Sequence, residues 1–147
     1  MSGTKRLAPL IKRAQDRQDA AARQMAERQK ALDTHAQRLK ELRQYTDDYL
    51  NEQITAVNTA ALLNRRAFLD RLETAVRLQG QTVERNRQLV EVERQRLIAA
   101  SRELQVLQTL HQRYQEQERV LADRRDQRVL DDLGARISTR ARTEETL

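Results

Sequence analysis

The sequence predicts an all-α fold: two long helices in an antiparallel coiled-coil hairpin, with helix 2 longer and overhanging helix 1. Three observations predict it. One apolar stripe runs Leu7, Ile11, Ala14, Ala21, Met25, Leu32, Leu39, Leu42. A second runs Leu72, Val76, Val83, Val90, Leu97, Ala100, Leu104, Leu107. Both advance by threes and fours, the heptad step of a coiled-coil seam. The third observation is that the stripes match in reverse. Leu42 falls with Leu72, Leu39 with Val76, Leu32 with Val83, Met25 with Val90, Ala14 with Ala100, Ile11 with Leu104 and Leu7 with Leu107. Each pair of residue numbers adds to 114 or 115, the constant that a single hairpin folded near Val57 requires.

Helix 1 is expected over about residues 5–52. Pro9 fits only within a first turn, where its missing N–H costs nothing, so a start near Thr4, Lys5 or Ala8 is implied. The turn is expected over about 53–60, where Ile54, Thr55, Val57 and Thr59 are β-branched and lower helix propensity. Asn58 or Thr59 can cap the next helix. Helix 2 is expected over about 60–138, followed by a flexible tail over 139–147. Gly80 and Gly134 are the glycines inside the helical pattern, each costing about 1 kcal/mol relative to Ala. The whole reads as a single coiled-coil hairpin, hence a rod.

Composition excludes several function classes. Hydrophobic residues make up 38% and charged residues 34% of 147, too polar a mixture for a conventional globular core of that length. The chain has no cysteine, which removes disulfides, thiolate metal sites and thiol nucleophiles. No stretch approaches the ~20 apolar residues of a membrane span. No apolar signal core follows Met1, which predicts a cytosolic chain or one exported without a cleaved signal. There is no glycine-rich phosphate cradle, no HExxH and no serine-centred nucleophile elbow. Carboxylates abound, but a two-helix rod offers no concave pocket to desolvate them. A non-enzyme is expected, with no catalytic residues and no cofactor.

The seam carries polar layers: His35 opposite Gln79, Arg28 opposite Asn86, and Glu93 near Ala21. Such layers fix register at a cost in stability. His35 would need further ligands to hold a metal, and His111 is the other histidine of the chain, so no metal is expected.

Net charge is +6. Acids and bases interleave along both helices, as on a solvated, ion-paired surface. A polyanionic or acidic partner is the alternative, and Arg119, Arg124, Arg125, Arg128, Arg136, Arg140 and Arg142 near the C-terminal end speak for it. The interleaving and the absence of a basic block make nucleic acid the weakest partner class. Helix 2 projects past its partner by roughly 30 residues, about 45 Å. That overhang carries Leu110, Tyr114, Leu121, Val129, Leu130, Leu133 and Ile137. A lone helix with an apolar side is marginal in water, so it frays or docks.

Near the turn the apolar stripe outgrows the seam. Helix 1 supplies Leu39, Leu42, Tyr45, Tyr49 and Leu50; helix 2 supplies Phe68, Leu69, Leu72, Ala75 and Val76. A two-helix seam buries about two positions per heptad, and here the stripe is nearly twice that. Tyr45, Tyr49 and Phe68 are three of the four aromatic residues. They read as a plug that tightens the loop end, or as an exposed aromatic anchor of a protein interface.

A small, basic, cysteine-free hairpin with LxxYxxxY at Leu42, Tyr45 and Tyr49, and FxxxLxxA at Phe68, Leu72 and Ala75, resembles the FliJ family of the bacterial flagellar type III export apparatus. The resemblance runs from about Leu7 to Arg142. It implies a stalk like that of rotary ATPases, linking the hexameric export ATPase to the membrane export gate and escorting export chaperones. The gate's large cytoplasmic component would meet Leu42, Tyr45, Tyr49, Phe68, Leu72 and Ala75. The ATPase would meet Leu7, Ile11, Tyr114, Leu121, Arg124, Arg125 and Arg128. The implied location is cytoplasmic, peripheral at the inner face of the membrane through these partners, with no nucleic acid bound. An injectisome stalk and a general coiled-coil adaptor are the competing readings.

Overall fold

The computed structural model describes residues 3–52 and 58–145 of the chain. Helix α1 spans Gly3–Asn51 and helix α2 spans Thr59–Glu145. The two long helices pack against each other, as the stripes predicted. The bend expected near Val57, with Ile54 and Thr55, lies outside the described residues.

Two compact units account for the described chain, one formed by Arg17–Ala100 and the other by residues up to Asp16 together with those from Ser101 onward. In the first, Leu39, Leu72, Val83 and Val90 are buried, and Met25, Leu32, Leu42 and Val76 half-buried. The pairing there is antiparallel: Tyr49 meets Phe68, while His35, earlier in α1, meets Gln79, later in α2. In the second unit Leu7, Ala14 and Leu104 are buried and Ile11 and Leu107 half-buried. Each large aliphatic side chain removed from water in this way stabilises by roughly 1.5–3 kcal/mol, and this packing, rather than propensity, holds long polar helices together.

The helix ends depart from expectation in two places, the start of α1 and the far end of α2, while the cap of α2 agrees with it. Helix α1 begins at Gly3, so Pro9 lies inside it rather than in its first turn. Pro9 deprives the Lys5 carbonyl of its helical donor, and both residues lie on the exposed side of α1. Burial of Leu7 in the same turns offsets the cost. Helix α2 starts on an Asn58 cap, whose Oδ1 accepts from the Ala61 N–H at 2.8 Å while its carbonyl accepts from Leu62 N–H at 3.4 Å. Its far end runs on through Thr139 to Glu145, where a flexible tail was expected. No proline interrupts that stretch, and Thr139 and Thr143 bond back to the Ala135 and Thr139 carbonyls, both at 2.8 Å.

The polar layers resolve differently from one another. Gln79 Nε2 donates to the His35 carbonyl at 3.0 Å and lies 3.3 Å from His35 Nδ1, so this layer ties the two helices directly. Asn86 instead donates to its own helix at the Thr82 carbonyl, 2.8 Å away, and Arg28 is exposed. Glu93 is 6% exposed and accepts from Arg96 Nη1 at 3.0 Å. Outside the seam, Glu–Arg pairs three residues apart and Gln–Asp pairs four apart decorate the helices, as at Glu91–Arg94 and Gln44–Asp48.

Candidate functional site

Two surfaces carry the residues singled out by the sequence. The first belongs to the Arg17–Ala100 unit. Leu42, Tyr45 and Tyr49 follow one another at three- and four-residue steps along α1, as do Phe68, Leu72 and Ala75 along α2. These spacings bring side chains onto one face of each helix. Phe68 sits at the centre. Its ring is 4.7 Å from Tyr49, tilted by 59°, and 6.4 Å from Tyr45, edge-on at 74°. Such offset geometries set the positive ring edge against the negative face.

The six residues divide by exposure. Leu72 is a seam residue, 8% exposed, and offers almost nothing to a partner. Leu42, Tyr49, Phe68 and Ala75 are half-buried. Tyr45 is 54% exposed and is the part of the cluster that solvent reaches most. Leu42 and Tyr45 line a shallow groove with Arg38, Glu41 and Gln79. Tyr49 and Phe68 therefore close the helix pair, and Tyr45 stands exposed beside it.

Sequence reasoning missed Arg65. Its Nη2 donates to the Tyr49 carbonyl at 3.2 Å and to the Leu50 carbonyl at 3.3 Å, and its guanidinium carbon lies 5.5 Å from the centre of the Tyr49 ring. Helix α1 has no basic residue in its last turn. Its final carbonyls carry the negative end of the helix dipole, and Arg65 supplies the missing cation from α2. The uncomplemented C-terminus was the one signal available in the sequence. Leu62 and Leu63, at the start of α2, are also strongly exposed and lie outside both apolar stripes.

The second surface belongs to the unit containing both chain ends. The sequence placed the unpartnered part of α2 directly after Leu107. Instead the Tyr114 ring packs against Gly3, and Thr4 Oγ1 donates to both carboxylate oxygens of Glu118 at 3.2 Å. The turn of α1 that precedes Leu7 accounts for the longer pairing. From Arg119 to Glu145 every residue is exposed. Tyr114, Leu121 and Arg125 line one groove with Gly3, Gln117, Glu118 and Ala122. Arg124 and Arg128 are exposed but outside that groove, and Leu7 is buried against α2. Among the described residues no three His, Asp or Glu side chains gather as a metal site, and no helix is long and apolar enough to cross a membrane.

Comparison with known proteins decides the family. The model of the family described as "Flagellar FliJ protein" matches residues 4–143. The chain belongs to the FliJ family. That match takes in both long helices and both surfaces, and it makes the chain a FliJ-family flagellar export protein. No curated protein and no solved structure gives a significant match.

Proposed function

We propose that this FliJ-family protein is a non-enzymatic stalk of the flagellar export apparatus, linking the hexameric export ATPase to the cytoplasmic component of the export gate. The observation that carries this reading is the aromatic cluster, in which Tyr45 remains 54% exposed beside a packed Tyr49–Phe68 pair. A rigid aromatic held at the edge of a helix pair is the usual anchor of a protein interface. Leu42, Tyr45, Tyr49, Phe68 and Ala75 form the gate-binding surface, with Leu72 supporting it from within the seam. The ATPase binds the other unit through Tyr114, Leu121, Arg124, Arg125 and Arg128, with Leu7 and Ile11 holding α1 in place beneath them.

The protein joins the inner face of the membrane through these partners and escorts export chaperones. The family match favours the flagellar system over an injectisome and over a general coiled-coil adaptor. Replacing Tyr45 with Ala tests the reading. Binding to the gate's cytoplasmic component and swimming should both fall, with helical circular dichroism unchanged. Unaltered gate binding and swimming in that variant would remove the surface assignment. A companion variant, Leu121→Ala with Arg125→Ala, should weaken binding to the ATPase and leave gate binding intact.

A further inference from the structure

We infer that Arg65 is a positioning residue for the aromatic surface: it locks the C-terminal turn of α1 so that Tyr49, Phe68 and Tyr45 hold one arrangement before any partner arrives. The inference rests on the gate-binding reading proposed above and adds to it a residue outside the apolar motif.

The argument starts at the end of α1. That helix stops at Asn51 without a glycine or proline, and with no cation in its last turn. One tightened bond, from Glu52 N–H to the Tyr49 carbonyl at 3.3 Å, closes the turn from within. Arg65 closes it from outside by bonding the Tyr49 and Leu50 carbonyls together. A guanidinium is suited to this because its donors form a rigid fork and its charge is permanent. A terminal helical turn with unsatisfied carbonyls otherwise frays.

The same guanidinium reaches the aromatic cluster through Tyr49, lying 5.5 Å from its ring centre. Tyr49 is thus held at its backbone by hydrogen bonds and at its ring by Arg65 on one hand and Phe68 on the other. Phe68 in turn meets Tyr45 in an edge-on contact. Three links therefore run from Arg65 to the most exposed ring of the surface. Arg65 is itself half-buried, so it is ordered without being the residue most open to a partner. Holding the rings beforehand saves the ordering cost that binding would otherwise carry.

The test compares full-length Arg65→Ala, Arg65→Lys, Tyr45→Ala and Val83→Ala. Val83 is a buried seam residue outside the aromatic cluster and controls for lost stability. The readouts are affinity for the gate's isolated cytoplasmic component and the near-ultraviolet dichroism of the tyrosines. Arg65→Ala should lose about tenfold in affinity, the size of one hydrogen bond to a charged group. It should also lose tyrosine dichroism while far-ultraviolet helicity stays. Arg65→Lys should recover part of both, because it restores the charge without the fork. Val83→Ala should lower the melting temperature but keep affinity and tyrosine signal.

Native affinity in Arg65→Ala together with weak binding by Tyr45→Ala overturns the positioning role and keeps the surface. Native affinity in Tyr45→Ala instead removes the gate reading. Lost affinity with a native tyrosine signal in both Arg65 variants makes Arg65 a direct contact, which also overturns the inference. An equal loss of affinity in Val83→Ala reduces the effect to stability and does the same.

Discussion

Gly3 lies so close to Tyr114 that a Cβ built on the glycine would stand 2.6 Å from the ring's Cδ2 and 2.9 Å from its Cγ. The first turn of α1 therefore packs directly on the Tyr114 ring, which would have to shift to admit a side chain at residue 3. Gly3→Ala should force the ring aside and cost about 1 kcal/mol, the lower range for overpacking because the site is half-buried. Amide hydrogen exchange should quicken through the first turns of α1, including Leu7, and stay unchanged around Val83 and Val90. Adding Tyr114→Ala to the same chain should remove the clash and narrow the difference.

Gly80 has the opposite surroundings. It lies within α2 at a helical conformation, with nothing inside 4 Å of an added Cβ. Gly80→Ala should stabilise the chain by about 0.5–1 kcal/mol, through helix propensity and a less free unfolded state. Urea denaturation read by helical dichroism would show the midpoint rise at unchanged slope.

Asn58 holds the first turn of α2 through a 2.8 Å bond to the Ala61 N–H. Asn58→Ala should destabilise by about 1 kcal/mol, and Asn58→Asp should be close to neutral, since aspartate accepts the same bond and suits the positive helix end. Thermal melting of the three proteins side by side would check the order.

Leu39 and Leu130 separate seam from bare helix. Leu39 is 8% exposed and Leu130 62% exposed. Truncation to Ala should cost about 2–4 kcal/mol at Leu39 by leaving a cavity. The same change at Leu130 should alter stability by less than about 0.5 kcal/mol, as at ordinary surface positions. Chemical denaturation of both variants without partners would reveal a hidden contact if Leu130→Ala proved costly.

Much of the fold was readable because burial follows the heptad. Every apolar side chain that is buried among the described residues, from Leu7 to Leu104, belongs to one of the two stripes. The His35–Gln79 layer followed from the same numbering. What escaped depended on reach rather than on register. Arg65 acts across the helix pair on carbonyls that no side-chain pattern records. Asn86 turned to its own helix because a short amide finds the Thr82 carbonyl nearer than any partner. The pairing near Tyr114 runs longer than the stripes indicate because they end at Leu7 and Leu107, whereas the helix before Leu7 also packs on α2 through Gly3 and Thr4. At the aromatic surface the motif located the right rings but could not divide them, because exposure of Tyr45 and burial of Leu72 arise from side-chain direction, not from spacing.

The wetted stretch of α2 after Glu118 makes the chain its own footprinting reagent. Arg119, Arg124, Arg125, Arg128, Arg136, Arg140 and Arg142 punctuate it, each a cleavage point for trypsin on a stretch of helix exposed throughout. Brief digestion of the free protein should shed short C-terminal fragments first, and a bound ring or chaperone would spare whichever arginines it covers, so the pattern of surviving peptides would map the occupied length directly.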